Sequence, residues 1–525
     1  MAFLMLLVWL PIPLGSNRPW SWALMEVWVY LMAAVWLFKY ARGSAALSDS
    51  FRQARPALIL FGLWLSYGIL QMIPLPATIV AAISPNTAAL HQQAQLSHVL
   101  ANIPLVPNPI ARPLPSFQKI PAAVDRKAAG AEVQPIDAGE LNSVTLDQGL
   151  AIEKDLKSDS QPLVSMSAHS ARLSLDLSAS ITAWFKSLSY VLLFVLTLLL
   201  VNSVQRLKTL AYVLVLSGLG QAVYGSLALA AAGSGDAHGS FINRNHYAAY
   251  LVLCLSVGIG LLIASLGRSA SASDWRQRLR HMGAVILSAK APLRIFLAIM
   301  VIALVLTHSR MGNTSFFASM LITGILALIL FKDTPRSVVV LIASLIVIDI
   351  VIIGSWVGLE KVRARIEQTT LVQESRDEFD LYSFRMLQDY PLFGAGAGSY
   401  YSVFPRYREV DMGEGFLYHA HDDYLEFLTE YGILGTLLPG SVVILAMGNA
   451  ILAQRRRRSQ LARGSGFASL MAITAMLIHA AVEFNLQIPA YAGTFMVILA
   501  TAWLSRYLAS ENGSQPSNIT PANPR

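Results

Sequence analysis

At 525 residues, 55% hydrophobic and only 13% charged, the chain is too apolar for a string of soluble domains. Apolar stretches of about 20 residues, enough to cross ~30 Å of hydrocarbon, recur along nearly its whole length and lack the alternation of a membrane β-barrel. The net charge of +8 needs no nucleic-acid partner, and the single cysteine, Cys254, excludes an intramolecular disulfide and a cysteine-built metal cage.

The predicted fold is an all-α polytopic membrane protein of about twelve transmembrane helices. In chain order the spans are 2–15, 20–38, 56–77, 182–201, 209–232, 246–266, 293–309, 313–331, 337–358, 432–453, 465–486 and 489–508. No Lys or Arg precedes the first apolar stretch and no small-residue cleavage site follows it, so it reads as a helix rather than a signal peptide. Residues 1–77 form an N-terminal helical region. Residues 78–181, between spans 3 and 4, carry a proline-rich stretch from Pro104 to Pro135, which predicts an irregular, partly mobile insertion. Leu173 to Leu177 are expected to lie along the membrane interface at its end.

The central helices, 182–358, lead into a second extramembrane loop, 359–431, between spans 9 and 10. It is dense in charge and aromatics, including Arg376, Tyr382, Arg385, Tyr400 and Tyr401. Residues 376–389 have helical spacing, with Phe379, Tyr382, Met386 and Leu387 on one face, and Pro391 ends that helix. Gly394-Ala-Gly396-Ala-Gly398 follows without a strand-turn-helix unit, so tight backbone turns are expected there rather than a dinucleotide loop. The C-terminal helices, 432–508, are followed by a cytoplasmic tail, 509–525.

Basic residues set the orientation. One set of connections holds Lys39, Arg42, Arg52, Arg55, Arg206 and Lys208, and later the run Arg455–Arg458. The opposite short connections hold only Arg18, Arg244 and Arg310. Both termini are therefore expected in the cytoplasm and the 359–431 loop on the outer side.

On that outer side polar groups gather at the ends of apolar runs, where they are costly unless they do something. The densest cluster is His419-Ala-His421-Asp422-Asp423-Tyr424-Leu425-Glu426. Asn243-Arg244-Asn245-His246 opens one span, His308-Ser309-Arg310 lies between two others, and His479 and Glu483 stand near the end of a third. For each cluster alone a snorkelling side chain or a helix cap is an ordinary explanation. Together they fit recognition of a phosphorylated, lipid-borne substrate, because Arg pairs with phosphate oxygens and His takes a proton from a sugar hydroxyl. A divalent metal between His419 and His421 competes with that reading, but i, i+2 spacing suits a strand more than the helix predicted downstream.

His421-Asp422, nine further residues and Gly432-Ile-Leu-Gly435-Thr436 reproduce a recognisable spacing. By it the chain resembles the O-antigen ligase and O-antigen or exopolysaccharide polymerase superfamily of bacterial inner-membrane glycosyltransferases. That family's motif has His, then Asn, Ser or Gln, nine residues and Gly-x-x-Gly-Thr, so Asp422 is the one departure. The Phe241–His246, Ser309–Gly312, Arg376–Gly394 and Pro13–Trp20 elements also look like family patterns. The resemblance covers most of the chain except 78–181 and the tail.

What the resemblance implies is metal-independent glycan transfer at the periplasmic face, with no cofactor and no nucleic acid. The donor would be a glycan on undecaprenyl pyrophosphate, and the acceptor lipid A-core or a growing polysaccharide. His421 would be the general base, and Arg310, with Arg244 and Arg376, would grip the pyrophosphate. Asn243, Asn245, His419, Asp422 and Glu483 would contact substrate. Asp422 would either fix the tautomer of His421 or mark a different acceptor. A flippase for the same lipid-linked sugars is the alternative, against which stand charges at the outer rim and no visible internal repeat. A non-catalytic membrane scaffold ranks last.

Overall fold

The computed structural model describes residues 1–101, 170–265, 291–330, 379–408 and 418–509, which are mostly helical. Polar caps start several helices where apolar runs begin. Ser48, Asp176, Ser203 and Ser459 each accept a bond from a first-turn backbone N–H, while Pro19 and Pro489 open two others. The helices before the insertion are α1 (Ala2–Trp9), α2 (Pro19–Ala41), α3 (Asp49–Gln53), α4 (Arg55–Met72), α5 (Ala77–Ile83) and α6 (Pro85–Ala101). The central ones are α7 (Leu177–Leu200), α8 (Val204–Ala232), α9 (Arg244–Ser265), α10 (Ala291–Leu306) and α11 (Arg310–Leu330). Then follow α12 (379–389), α13 (Tyr400–Val403), α14 (Asp423–Arg456), α15 (Gln460–His479) and α16 (Pro489–Tyr507).

Among the described residues, the seven helices α2, α7, α8, α9, α11, α14 and α15 are long and apolar enough to cross a membrane, and α10 is a shorter apolar helix. Leu216, Leu227, Ile302, Ile329, Leu437 and Ile444 are exposed, as a lipid-facing surface requires. The architecture is that of an all-α polytopic membrane protein. At its centre α9 and α15 pack backbone to backbone. A Cβ on Gly260 would meet the Gly464 carbonyl oxygen at 2.4 Å, and one on Gly464 would meet the Gly260 carbonyl oxygen at 2.3 Å.

Hydrogen bonds tie the connections together at two ends. At one end Ala237 N–H donates to Leu306 C=O, Asp423 N–H to Ala480 C=O and Ser240 Oγ–H to Pro11 C=O. At the other, Ser48 bonds the Leu198 carbonyl and Arg457 the Leu508 carbonyl. The histidine segment belongs to the first end, and the arginine run to the second.

Several sequence expectations change. The span expected over 2–15 is an eight-residue helix, about 12 Å long, that stops before Pro11 and Pro13 and turns through Leu14–Ser16. The start of the 78–181 insertion is not irregular: α5 and α6 fill 77–101, and Leu75–Pro76 pairs with Ser170–Ala171. Leu173 is buried with Val80 and Ala171 rather than lying along an interface, and Leu177 already begins α7, ahead of the expected 182. The boundary at 432 falls inside α14, which starts at Asp423, and the span expected over 465–486 ends at His479. The expected span 337–358, the proline-rich stretch, Arg376 and nearly all of the 509–525 tail lie outside the described residues.

Candidate active site

The His421 motif is a broken helix start, and each of its fixed residues has a mechanical task. Asp422 is the N-cap of α14, its carboxylate accepting from Leu425 N–H at 3.0 Å. That accounts for the departure from the family pattern, because Asn, Ser and Asp are interchangeable caps. The carboxylate that faces His421 Nδ1 is Glu483, at 3.7 Å. Burial pushes the Asp422 carboxyl above its ordinary value against the pull of the backbone N–H groups it caps.

Gly432 interrupts the helix at φ 65°, ψ −179°. The 391–396 segment docks into the break: Ile433 N–H bonds Pro391 C=O, Ala395 N–H bonds Thr429 C=O and Gly396 N–H bonds Glu430 C=O, at 2.8–3.0 Å. Thr436 Oγ1 donates to the Phe427 carbonyl across the break, and Gly435 lets the Tyr67 ring approach. Gln71, fully buried, bonds the carbonyls of Phe393 and Glu430 and accepts from Ala397 N–H. The glycine-rich segment thus makes tight turns against a broken helix.

Around the resulting N-terminus, three imidazoles surround Phe484. His419 stacks on its ring at 4.4 Å, while His246 and His421 meet it edge-on at 4.6 and 4.7 Å. His419 and the motif's His421 turn to different carboxylates. His419 Nδ1 is 2.7 Å from Glu426 Oε1, and Ala420 N–H donates to Glu426 Oε2 at 2.9 Å. His421, held at φ 56°, has Nδ1 3.7 Å from Glu483 Oε2, which is also 3.6 Å from His246 Nε2. Asn245 donates to the other Glu483 oxygen.

Burial by itself would raise the Glu483 carboxyl. The His246 and His421 imidazoles facing it overcome that and hold it well below the usual carboxylate range. Close by, His421 Nδ1, Asp423 Oδ1, His479 Nε2 and the Asn485 amide are buried without a hydrogen-bond partner among the described residues. Orphaned polar atoms are rare in interiors, and a group of them points to function.

Among the described residues, the other sequence candidates lie in the 236–245 and 308–310 connections. Asp236 pairs with Arg244 and, at 2.7 Å, with His308 Nδ1. These interactions hold the Asp236 carboxyl below its usual range against the opposing effect of burial. His308 sits at φ 50°, two residues before the exposed Arg310 that opens α11. Asn243 accepts from Asn245 N–H at 2.8 Å, the local turn of a helix start.

Beside the histidines lies a cavity of about 1140 Å³. His419, Glu426, Glu430, Lys186 and Arg18 line its polar part, and Leu437, Val443, Ile444, Met447, Phe495 and Leu499 its apolar part. His421, Arg244 and Arg310 are not among its lining residues. Lys186 sits 4.0 Å above the Trp22 ring, with Glu26, Glu430 and Glu426 as its charged neighbours.

Residues 295–439 match the O-antigen ligase family model. The match supports the O-antigen ligase superfamily for this chain, and with it glycan transfer of the ligase or polymerase kind. No curated protein matches the chain. The ligase match takes in Arg310, the docking segment 391–398, His419 and His421, and the Gly432–Thr436 break. Phe484, which meets both rings, and Glu483, which faces His421, come from outside it.

Sequence reading missed Lys186, Glu430 and Asp236 as site residues. The signal for Lys186 was present, since a lone cation inside a predicted span is by default functional. The capping role of Asp422 gives a direct test. Asp422→Asn is expected to leave stability and glycan transfer close to wild type, whereas Asp422→Ala costs about 1 kcal/mol. Melting curves of the purified variants check this; an Asn variant as damaged as the Ala variant would show that the carboxylate does more than cap.

Proposed function

We propose that this chain transfers a glycan from undecaprenyl pyrophosphate to an acceptor hydroxyl at the periplasmic face of the bacterial inner membrane. The observation that carries the reading is the cavity: its apolar part suits a polyprenyl tail, and its polar part is lined by His419 and by Phe484, the ring that His421 also meets. The acceptor is lipid A-core or a growing polysaccharide. The loop charge bias, with Arg455–Arg458 at the opposite end, supports the periplasmic placement.

In this reading His421 takes the acceptor proton, with the Glu483 carboxylate behind it to stabilise the imidazolium. The acceptor oxygen bonds the anomeric carbon as the bond from that carbon to the pyrophosphate oxygen breaks. Arg310 and Arg244, with Arg376, bind the pyrophosphate, Arg244 exchanging Asp236 for a phosphate oxygen. Asn243, Asn245, His419 and Asp422 complete the substrate surroundings.

The test is purified protein in vesicles with a polyprenyl-pyrophosphate oligosaccharide and an acceptor glycolipid. Transfer is expected, and His421→Ala is expected to abolish it while inserting normally. Movement of the donor across the bilayer without transfer would make the chain a flippase instead. Full transfer by His421→Ala would remove that residue from the chemistry.

A further inference from the structure

The proposed reaction leaves negative charge on the departing pyrophosphate, and a proton donor beside the cations can share in meeting it. Lys186 is surrounded by Glu26, Glu426 and Glu430, and Arg244 is paired with Asp236. Arg18 is the other cation lining the cavity, and it is exposed. Besides cations, a positioned proton donor stabilises a leaving group of this charge.

The structure places a second, independent histidine–carboxylate pair there. Glu426 is 1% exposed, yet its two oxygens are both engaged: Oε1 with His419 Nδ1 at 2.7 Å and Oε2 with Ala420 N–H at 2.9 Å. A buried carboxylate against Nδ1 orients the ring and leaves Nε2 as the nitrogen free to face a substrate. Stacking on Phe484 fixes the ring plane, and both His419 and Glu426 line the cavity. His421 takes Glu483 as its own carboxylate and does not line it. The two histidines thus pair with different carboxylates, with Phe484 against both rings, and of the two His419 lines the cavity.

We infer that His419, oriented by Glu426, is the donor-side general acid: its Nε2 proton passes to the pyrophosphate oxygen as that oxygen leaves the anomeric carbon. The step balances with the proposed base. His421 gains the acceptor hydroxyl proton, the new C–O bond forms, the old one breaks onto the pyrophosphate, and His419 protonates that oxygen. Glu426 is a positioning residue, and the inference rests on the glycan-transfer reading above.

The experiment is steady-state transfer kinetics in vesicles with a polyprenyl-pyrophosphate oligosaccharide, for wild type, His419→Gln, Glu426→Gln and the double variant. In His419→Gln, kcat is expected to fall about 10²-fold or more, with donor KM within a few-fold of wild type. Glu426→Gln, which keeps an acceptor for Ala420 N–H, is expected to lose about 10-fold in kcat, and the double variant to be no slower than His419→Gln. A glycosyl fluoride of the same sugar, whose leaving group needs no comparable protonation, is expected to restore His419→Gln toward the wild-type rate but not His421→Ala. Wild-type rates in both single variants, or multiplying losses in the double variant, would overturn the acid assignment alone. A wild-type protein that transfers nothing would overturn the glycan-transfer reading and this inference with it.

Discussion

Gly432→Ala is expected to leave little folded protein in the membrane. The residue lies at φ 65°, ψ −179°, a region essentially reserved for glycine, where a side chain costs of order 1–3 kcal/mol in backbone strain. Space is also lacking: an added Cβ would sit 2.3 Å from the Leu392 carbonyl oxygen and 2.6 Å from the Gly394 nitrogen. Both obstacles are backbone, so relief requires the 391–396 segment to move and give up the Ile433–Pro391 and Ala395–Thr429 hydrogen bonds. Each of those is worth about 1 kcal/mol net, and more where a buried group is left unsatisfied. Gly448→Ala in the same helix is the control, because a Cβ there meets nothing within 4 Å and alanine is the better helix former. Membrane abundance and detergent melting curves are expected to separate the two variants clearly. Equal behaviour would mean that the break at Gly432 is not needed to hold the site.

The helical, polytopic class was legible because apolar runs of span length have few other uses, and the loop clusters did come together at one end. What misled was the assumption that a span, once started, continues. Pro11 and Pro13 stop the first helix, whereas Asp422 starts α14 nine residues before its apolar run, because a short polar turn can be helical when its carbonyls find partners across a break. The motif spacing pointed to His421, but spacing cannot show which carboxylate a histidine turns to. That depends on Glu483 for His421, 62 residues along the chain, and on Glu426 for His419, seven residues along it. Lys186 escaped because hydropathy averages a single charge away, although a lone charge in a span is the informative exception.

Glu483 carries the second large expected effect. Its side chain is 1% exposed, one oxygen accepting from Asn245 and the other facing His246 and His421 at 3.6 and 3.7 Å. Glu483→Leu strands all three partners in an apolar setting, a change that costs about 3–5 kcal/mol when one member of a buried pair is removed. Glu483→Gln is the gentler probe, since the amide retains an acceptor for Asn245 and loses only the charge. Because the folded carboxyl is held below the usual range, its stabilisation is fully present above the ordinary Glu value of about 4.3 and is lost as pH falls toward the folded value. The stability gap between wild type and Glu483→Gln is therefore expected to be widest near neutrality and to close in acid, as read from melting curves between about pH 3 and pH 8. Transfer by Glu483→Gln is expected to fall about 10²-fold at neutral pH, because His421 then takes up a proton with no carboxylate to stabilise it. A gap independent of pH would show that the histidines do not hold Glu483 charged. Undiminished transfer would show that His421 works without it. If both expectations hold, the residue that tunes the ligase-motif histidine comes from beyond the matched segment, from the short 480–488 turn between α15 and α16.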